Sequence, residues 1–335
     1  MHPLVLQPKE GLGLISANAH SVGSGALAIY EARQLIMGFE QAATLSMEAF
    51  RANLNILHPH SIAARRFNGQ QQSARHLRSM LFGSDLFKPG MARNLQDPLS
   101  FRCVAQVFGA VRDTHAYVTQ TIEHMLNSSV DSPLTLVEES TLISTGNFES
   151  TSLSLGFDQL RLALHRLVLM STQRLNKLLW REFSGLPSAL NDATDGSHRL
   201  GMLYNNLSRS AAVLAAHSQT TALPASLSYT PEITEGIDDY ASMSPISLNR
   251  TWTMLWVAKR SIILELLIAS RVITVLENAG QLHRLGIGTA RLNEWLQTLK
   301  ATYGLEEGAG SLEHLMRDFN METMLLQPGS EPAYT

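Results

Sequence analysis

The segment from Ser247 to Ala279 constrains this chain more than any other, because it is apolar on nearly every side of a helix of about nine turns. Its most apolar stretch, Ile262 to Leu276, carries Glu265 and Arg271 and is too short and too charged to span a bilayer. A helix of this kind needs protein on all sides. The segment therefore predicts the central, buried element of a large helical core.

Other segments with helical periodicity surround it, and strand signals are sparse. Helices are predicted at about Gly25 to Leu57, Val104 to Leu126, Thr151 to Gly185, Ser197 to Leu223, Gly288 to Tyr303 and Ser311 to Phe319, and a hairpin at Leu134 to Val137 and Thr141 to Ser144. The longer helices far exceed the usual length of about 11 to 12 residues. The sequence therefore predicts a mainly α fold, a long helical bundle that packs with other chains.

Three parts of the chain are predicted from this pattern. Residues 1–24 form a loop segment at the entry of the site, residues 25–280 form the central bundle, and residues 281–335 form short helices and a tail. Loops rich in Pro, Gly and Asp interrupt the bundle at residues 83–99, 127–146 and 225–247. Long loops on a rigid bundle are where binding chemistry is expected.

Composition and charge exclude several classes of protein. With 44% hydrophobic and 16% charged residues the 335-residue chain can bury a large core, so disorder is excluded. A formal net charge of -3 gives no electrostatic reason to expect a nucleic acid or an anionic membrane as partner. The one cysteine, Cys103, excludes an internal disulfide framework, and we expect a cytoplasmic protein.

The twelve histidines do not form a metal-binding motif. His58 and His60 flank Pro59, but no His-Glu-x-x-His pattern and no pair of cysteines accompanies them. No metal site is predicted.

Several blocks of sequence, in order along the chain, resemble those of the histidine and phenylalanine ammonia-lyase family. The blocks are Lys9-Glu10-Gly11-Leu12, Ser16-Ala17-Asn18-Ala19, Val22-Gly23-Ser24-Gly25, Leu95 to Cys103 with Gln106-Val107, Asn127 to Leu134, Gly146-Asn147-Phe148-Glu149, Gly185-Leu186-Pro187 and, more weakly, Ile237 to Met243. The resemblance implies the fumarase/aspartase-like bundle, a tetrameric core, and active sites that collect residues from several chains.

The resemblance also implies an electrophilic cofactor that this chain does not encode. Family members eliminate ammonia with 4-methylideneimidazole-5-one (MIO), which forms from an Ala-Ser-Gly tripeptide upstream of the Lys-Glu-Gly block. Here Lys9 is nearly at the start, and no Ala-Ser-Gly occurs in the 335 residues. The upstream tyrosine that serves as the family's base is missing too. We therefore expect MIO to come from a separate N-terminal subunit.

Two residues of the Leu95 block resemble substrate-binding residues of the family. Arg102 matches the arginine that holds the substrate carboxylate, a role that suits the planar fork of a guanidinium. The alternative is a structural ion pair with Asp97 or Asp113. Gln96 matches an amide that positions the substrate and the prosthetic group, and its alternative is a loop-capping amide.

Asn18 and Phe148 are the candidates from two other blocks. Counted from Lys9, the family's site asparagine falls at Ser16, whereas counted back from Val22 it falls at Asn18. We favour Asn18 because it supplies an amide donor, with a turn residue as the alternative. Phe148 matches an aromatic wall near the prosthetic group, with a core phenylalanine as the alternative.

Two further positions depart from the family pattern. Asp238 stands where the family often has glutamate, and a carboxylate there handles the proton of the departing amine if burial raises its pKa toward neutrality. Leu99 stands where family members usually have tyrosine close to the reactive centre. Leucine removes the hydroxyl and any proton-transfer role, and it also widens the pocket for a different substrate.

The leading hypothesis is the C-terminal subunit of a two-chain ammonia-lyase, or of a related 2,3-aminomutase, acting on an α-amino acid. Asn18 and Asp238 are its catalytic candidates, and Arg102, Gln96, Phe148 and Leu99 its substrate-binding candidates. A cofactor-free scaffold or assembly homologue is the rival from another class. A fragment of a full-length lyase is the third possibility.

Overall fold

A computed structural model of the chain describes residues 3–16, 18–190, 198–230, 232–305 and 312–325. Helices dominate, and a two-stranded antiparallel hairpin lies between α6 and α7. The elements are α1 (Glu10–Ser16), α2 (Ala19–Phe50), α3 (Pro59–Ala63), α4 (Asn68–Leu81), α5 (Leu99–Arg102), α6 (Val104–Leu126), β1 (Leu134–Leu136), β2 (Thr141–Ile143), α7 (Thr151–Leu179), α8 (Arg181–Ser184), α9 (His198–Thr221), α10 (Ser244–Asn278), α11 (Ile287–Thr302), α12 (Leu312–Asp318) and α13 (Met321–Leu325). The predicted mainly α fold is confirmed.

The predicted bounds hold best where periodicity is uninterrupted. Helix α6 has both predicted ends, and the hairpin lies where it was predicted. Helix α2 begins at Ala19 instead of Gly25 and ends at Phe50, where Arg51 takes a left-handed backbone conformation with φ of 57°. The tail residues 326–335 lie outside the described part of the chain, and the division at residue 280 stays a prediction.

Helix α4 was not predicted, because its arginines obscured its apolar spacing. Arg75 and Arg78 lie in this segment, and Ala74, Leu77 and Leu81 recur beside them at three- and four-residue spacing and are buried. Helix α4 packs closely against α6, and the contact depends on two glycines described below.

Helix α10 is the centre of the bundle, with α2 and α7 packed on it. Ser244 at its start hydrogen-bonds Ser21 at the start of α2, and Glu265 further along hydrogen-bonds Ser46 further along α2. The two helices therefore run in the same direction. Helix α6 runs against α2, because Arg112 early in α6 reaches Glu40 late in α2 while its later His115 reaches the carbonyl of Ile29.

A fully buried ion pair between α7 and α10 also connects α2 and α5. Arg174 of α7 donates to both carboxylate oxygens of Glu265 at 2.6 and 2.8 Å. Ser46 donates to the same carboxylate at 2.7 Å, and Arg174 also donates to the carbonyl oxygen of Ser100 in α5 at 3.2 Å. The buried charges are thus paired and hydrogen-bonded, which their removal from water requires.

The α4–α6 contact brings two backbones together at Gly69 and Gly109. A Cβ added at Gly69 would lie 2.2 Å from the carbonyl oxygen of Gly109, and one added at Gly109 would lie 2.4 Å from the backbone of Gln70. Real Cβ atoms do not come this close, so the approach of the helices requires glycine at both positions.

The C-terminal helices pack on the same bundle. Tyr30 and Gln34 of α2 both donate to Glu322 of α13, at 3.1 and 3.2 Å. In the last turn of α2, Glu48 is buried and accepts hydrogen bonds from His283, the Gly286 amide and other groups of the α10–α11 connection. None of the helices in the described part of the chain is long and apolar enough to cross a membrane.

Candidate functional site

The N-terminal ends of α2, α7 and α10 meet at one end of the bundle, which we call the amino end. An open cleft of about 440 Å³ lies there. It is lined by residues from three separate parts of the chain: Asn18, Phe148 to Ser150, and Tyr240 to Ile246. Two of the residues predicted from sequence, Asn18 and Phe148, therefore line one cleft.

Asn18 precedes α2 in a left-handed conformation, with φ of 52° and ψ of 18°. Asparagine tolerates this backbone better than most residues. Its side-chain Nδ2 donates to the carbonyl oxygen of Phe148 at 2.5 Å, and the Phe148 side chain is 47% exposed. Phe148 is thus not a core residue of this chain. The Ser16 side chain, the other candidate for this position, lies outside the described part of the structure.

Four serine hydroxyls hold the three segments of the amino end together. Ser150 is 2.8 Å from Ser242 and 2.9 Å from Ser244, oxygen to oxygen, and Ser244 donates to Ser21 at 3.4 Å. Three of these side chains are buried, so hydroxyl partners satisfy them where water does not reach. The start of α10 is therefore fixed against the starts of α2 and α7.

A second hydrogen-bonded chain lines the same cleft. The Tyr240 hydroxyl lies 2.7 Å from Thr151 Oγ1, and Thr151 Oγ1 donates to Glu149 Oε1 at 2.8 Å. The Thr151 amide donates to the other carboxylate oxygen of Glu149 at 2.8 Å. Tyr240 and Thr151 were not predicted from the sequence as site residues, because two positions 89 residues apart are brought together only by the packing of the helices.

A buried Asp158–Arg161 ion pair on α7 holds the segment that leads to α10 in place. Burial raises the pKa of Asp158, but hydrogen bonds from Ser247 and from the Ser226 amide more than offset this and hold it below its ordinary value. Arg161 donates to the carbonyl oxygens of Thr221 and Ser247 as well.

Asp238 lies on this segment but is exposed. Its backbone pairs with Ile233, and its carboxylate accepts a hydrogen bond from Thr234 at 2.6 Å. The burial that its proposed proton-transfer role requires is thus not supplied by the chain alone. The role of Asp238 stays a prediction.

Helix α5 and the loop before it lie at the opposite end of the bundle, beside the last turn of α2. The Phe101 ring stacks on Phe50 with centroids 4.3 Å apart. The Asn53 amide donates to the buried carboxylate of Asp97 at 2.7 Å, and the Asn53 side chain donates to the carbonyl oxygen of Leu95. Hydrogen bonds and ring stacking therefore fix the loop before α5 at this end of the bundle, which we call the carboxyl end.

Three predicted substrate-binding residues lie at the carboxyl end with their side chains partly or fully exposed. Gln96 is exposed, Leu99 is 61% exposed, and Arg102 is half-buried. Asp97 accepts from Asn53 and Asn94, and Asp113 accepts from the Gly69 amide. Neither carboxylate forms an ion pair with Arg102. The structural ion pair that was the alternative role for Arg102 is therefore not formed among the described residues.

The two groups of predicted residues are far apart in one chain. Asn18 immediately precedes α2, whereas Phe101 stacks on Phe50 at its end, and 32 residues of helix span about 48 Å. The fold thus brings Asn18 and Phe148 together and separates them from Gln96, Leu99 and Arg102. Among the described residues no group of three or more His, Cys, Asp or Glu side chains is placed to hold a metal ion.

Comparison with known proteins identifies the family. The model of the aromatic amino acid lyase family matches residues 1–298. The chain belongs to the aromatic amino acid lyase family. It is 31% identical over 289 residues to a histidine ammonia-lyase of Alkaliphilus metalliredigens and 28% identical over 326 residues to one of Anaeromyxobacter sp.. It covers 55% and 63% of the lengths of these relatives, and 86% and 96% of the chain is aligned.

Solved structures of the family have the same fold. The ergothionase of Treponema denticola superposes with a TM-score of 0.84 at 26% identity, covering 97% of this chain and 63% of that one. A phenylalanine aminomutase of Pantoea agglomerans gives a TM-score of 0.84 at 24% identity, with 97% and 64% covered. The family resemblance expected from the sequence blocks is thereby confirmed.

Proposed function

We propose that this chain is the C-terminal part of a composite ammonia-lyase or 2,3-aminomutase site that is completed by other polypeptides. The observation that carries the proposal is the separation of two exposed half-sites by about 48 Å of helix. Asn18 and Phe148 occupy one end and Gln96 and Arg102 the other, so a working site needs the amino end of one copy beside the carboxyl end of another.

The chemistry of each half-site supports this assembly. Arg102 is half-buried and forms no ion pair with Asp97 or Asp113. Its planar guanidinium group therefore suits a substrate carboxylate. Gln96 on the same loop adds an exposed amide. At the other end Asn18 supplies an amide and Phe148 an aromatic wall.

Exposed apolar side chains on the long helices favour self-association into the tetramer-like core. They include Leu27 and Tyr30 on α2 and Leu155 and Leu162 on α7, each between 46% and 64% exposed. Positions 155 and 162 are two turns apart on one face, as in helix–helix interfaces. We also propose that the protein acts in the cytoplasm.

The residues present fit MIO, but the chain does not encode it. An amide donor and an aromatic wall suit a neutral, carbonyl-bearing ring, and Asn18 and Phe148 would flank it. When bound, that group supplies the electrophile needed to release the amino group. No Ala-Ser-Gly occurs in the 335 residues. The source that we propose for MIO is a separate N-terminal subunit.

Within that site this chain binds and orients the substrate. Arg102 holds the carboxylate in two parallel hydrogen bonds, Gln96 fixes its orientation, and Asp238 receives the proton of the departing amine once a neighbouring copy buries it. The products are ammonia and an α,β-unsaturated acid, or a β-amino acid in the mutase. Holding substrate this way converts binding energy into correct alignment.

The test is reconstitution with a lyase chain that carries Ala-Ser-Gly, sought first in the neighbouring genomic sequence. The mixture should acquire the absorbance of the prosthetic group and form an α,β-unsaturated acid from an amino acid. Arg102→Ala should lower kcat/KM for the substrate by about 10²-fold or more, because a charge-assisted bidentate contact is lost. Arg209→Ala, on an exposed face of α9, is the matched control.

A scaffold without catalysis remains the rival because Leu99 stands where the family has tyrosine. It predicts that Arg102→Ala leaves assembly intact and that the wild-type mixture forms no product. If the genomic neighbourhood instead continues the same reading frame upstream into an Ala-Ser-Gly, the chain is part of one longer lyase.

A further inference from the structure

A second open cleft lies on the side of the bundle, between α2, α4 and α6, and we call it the side cleft. Its volume of about 370 Å³ is within the range of about 300–1,000 Å³ that is usual for small-molecule sites. Its lining includes Arg33 of α2, Gln72 of α4, and Arg112 and His115 of α6. Arg33 lies near the middle of α2, about 20 Å or more from either end, so the side cleft is separate from both half-sites.

The Arg112 guanidinium is held in place by Glu40. Its Nε and Nη2 atoms donate to the two oxygens of this fully buried carboxylate at 2.7 and 2.6 Å. His76 Nδ1 of α4 lies 2.5 Å from one of the same oxygens. The third nitrogen of Arg112, Nη1, donates to no group in the described part of the chain. The ion pair therefore fixes the guanidinium and leaves Nη1 available to a ligand in the side cleft.

The Arg33 guanidinium carries a charge that no described residue pairs. It is exposed, and its charge acts within the cleft because it lowers the pKa of His115. Glu40 already neutralises Arg112, so the charge of Arg33 is left over and this part of the cleft is positive. Glu123 lines the cleft as well, but it is about three turns of α6, or about 16 Å, beyond Arg112.

We propose that the side cleft binds a small dianion of the phosphate or sulfate type between Arg33 and Arg112. Guanidinium groups offer N–H donors in a planar arrangement that matches the oxygens of such an anion. Gln72 adds an amide donor from α4. Gln120 and Glu123 line the remainder of the cleft, where the hydroxyl groups of a phosphate ester fit. The site does not depend on the proposed lyase activity.

His115 makes the site sensitive to pH. Its Nε2 donates to the carbonyl oxygen of Ile29 at 2.9 Å, so a further proton goes to Nδ1. Burial lowers the pKa of His115 and the charges of Arg33 and Arg112 lower it further, against the hydrogen bond to Ile29, which raises it. The lining residue from α4, Gln72, is uncharged. A bound dianion offsets both guanidinium charges and so raises the pKa of His115, and it is therefore bound more tightly as the pH falls.

Calorimetric titration of the full chain with sodium sulfate in a chloride buffer tests the site. The wild type should bind sulfate saturably, and Arg33→Gln should weaken the affinity about tenfold or more, because a charge-assisted contact is lost. Arg33 is exposed, so circular dichroism should show that the variant folds. Arg209→Gln, on an exposed face of α9, is the matched control and should bind as the wild type does. No saturable binding, or equal affinity in Arg33→Gln and the wild type, would overturn the proposal.

The same titration at a series of pH values tests His115, because the charge of sulfate is constant over this range. The affinity of the wild type should rise by up to about tenfold from about pH 7.5 to about pH 5.5, as a rise of one unit in the pKa of His115 requires. His115→Gln should keep the binding and lose its pH dependence. An affinity of the wild type that is independent of pH, or one equally dependent on pH in His115→Gln, would overturn the role of His115.

Inorganic phosphate and glucose 6-phosphate, titrated separately, distinguish the two sources of the dianion. An ester that gains contacts with Gln120 and Glu123 should bind more tightly than inorganic phosphate, and Gln120→Ala should remove that gain. Equal affinities would assign the side cleft to the free ion. Failure of both to bind would overturn the site and leave the proposed lyase function untouched.

Discussion

Glu265 and Arg174 are both fully buried, and their pairing reaches beyond the core. Arg174 also holds the carbonyl oxygen of Ser100 at 3.2 Å, which fixes α5 two residues before Arg102. A single buried guanidinium thus stabilises the bundle and positions the exposed substrate-binding candidates. Removal of one partner leaves a buried charge without compensation.

Arg174→Met should therefore lower the free energy of unfolding by about 3–5 kcal/mol, the usual cost of an orphaned buried charge. Urea unfolding followed by circular dichroism measures it. The double variant Arg174→Met/Glu265→Leu should recover most of the loss, because both charges are then gone. A double variant as unstable as the single one would contradict this explanation.

A second prediction about a single residue concerns the pKa of the buried Glu40 carboxyl. Burial raises the pKa of this carboxyl, but hydrogen bonds and charge from Arg112 and His76 outweigh it and hold the pKa below the ordinary 4.5. A depressed folded-state pKa stabilises the fold fully at pH values above 4.5. That contribution is lost as the pH falls from there through the lower folded-state pKa.

Glu40→Gln should thus be least stable relative to the wild type near neutral pH, and the difference should shrink below pH 4.5. Denaturant unfolding at a series of pH values gives the difference. Glu294→Gln, on an exposed face of α11, should give a small difference that does not change with pH. A Glu40→Gln difference that grows on acidification would reverse the sign argued here.

At the scale of elements, the α4–α6 contact depends on the absence of two side chains. Gly109→Ala should lower the free energy of unfolding by about 1–3 kcal/mol or more, because its methyl would lie 2.4 Å from the Gln70 backbone. Gly23→Ala is the matched control, since nothing lies within 4 Å of an added Cβ there. It should be neutral or stabilising by up to about 1 kcal/mol. Equal effects at both positions, measured by urea unfolding, would disprove the close approach.

The elements also show where pattern reading works. Both ends of periodic, uninterrupted segments such as α6 were predicted, since the spacing of the apolar residues shows which face of the helix is buried. Helix α4 was missed because its polar residues lower the apolar signal while Ala74 and Leu77 still face the core. The start of α2 was predicted too late because glycine lowers helix propensity at positions 23 and 25. In the structure Gly25 lies inside the helix, where Phe157 packs against it.

At the scale of the whole molecule, the length of α2 separates the half-sites and so makes a prediction about assembly. Arg102→Ala and Asn18→Ala should each inactivate the reconstituted enzyme, and a mixture of the two variants should regain activity. In some mixed assemblies one site then receives an intact Arg102 from one copy and an intact Asn18 from another. Product formation after joint refolding of the two variants measures this.

The control for this complementation is the double variant Arg102→Ala/Asn18→Ala mixed with either single variant. One of the two residues is then missing from every site, so no activity should return. Recovery in that mixture, or none in the mixture of the single variants, would show that both residues do not serve one composite site.

The sequence by itself determined the helical class, the bounds of the most periodic helices and the family, because apolar spacing and short motifs are local properties of the chain. It also named Asn18, Phe148, Gln96 and Arg102 as candidates. Only the tertiary structure decided which of them lie together. Long helices carry residues that are near in sequence to opposite ends of the bundle, while residues as distant as Thr151 and Tyr240 meet where three helices begin. Distances of this kind depend on how the helices pack, which no local pattern contains.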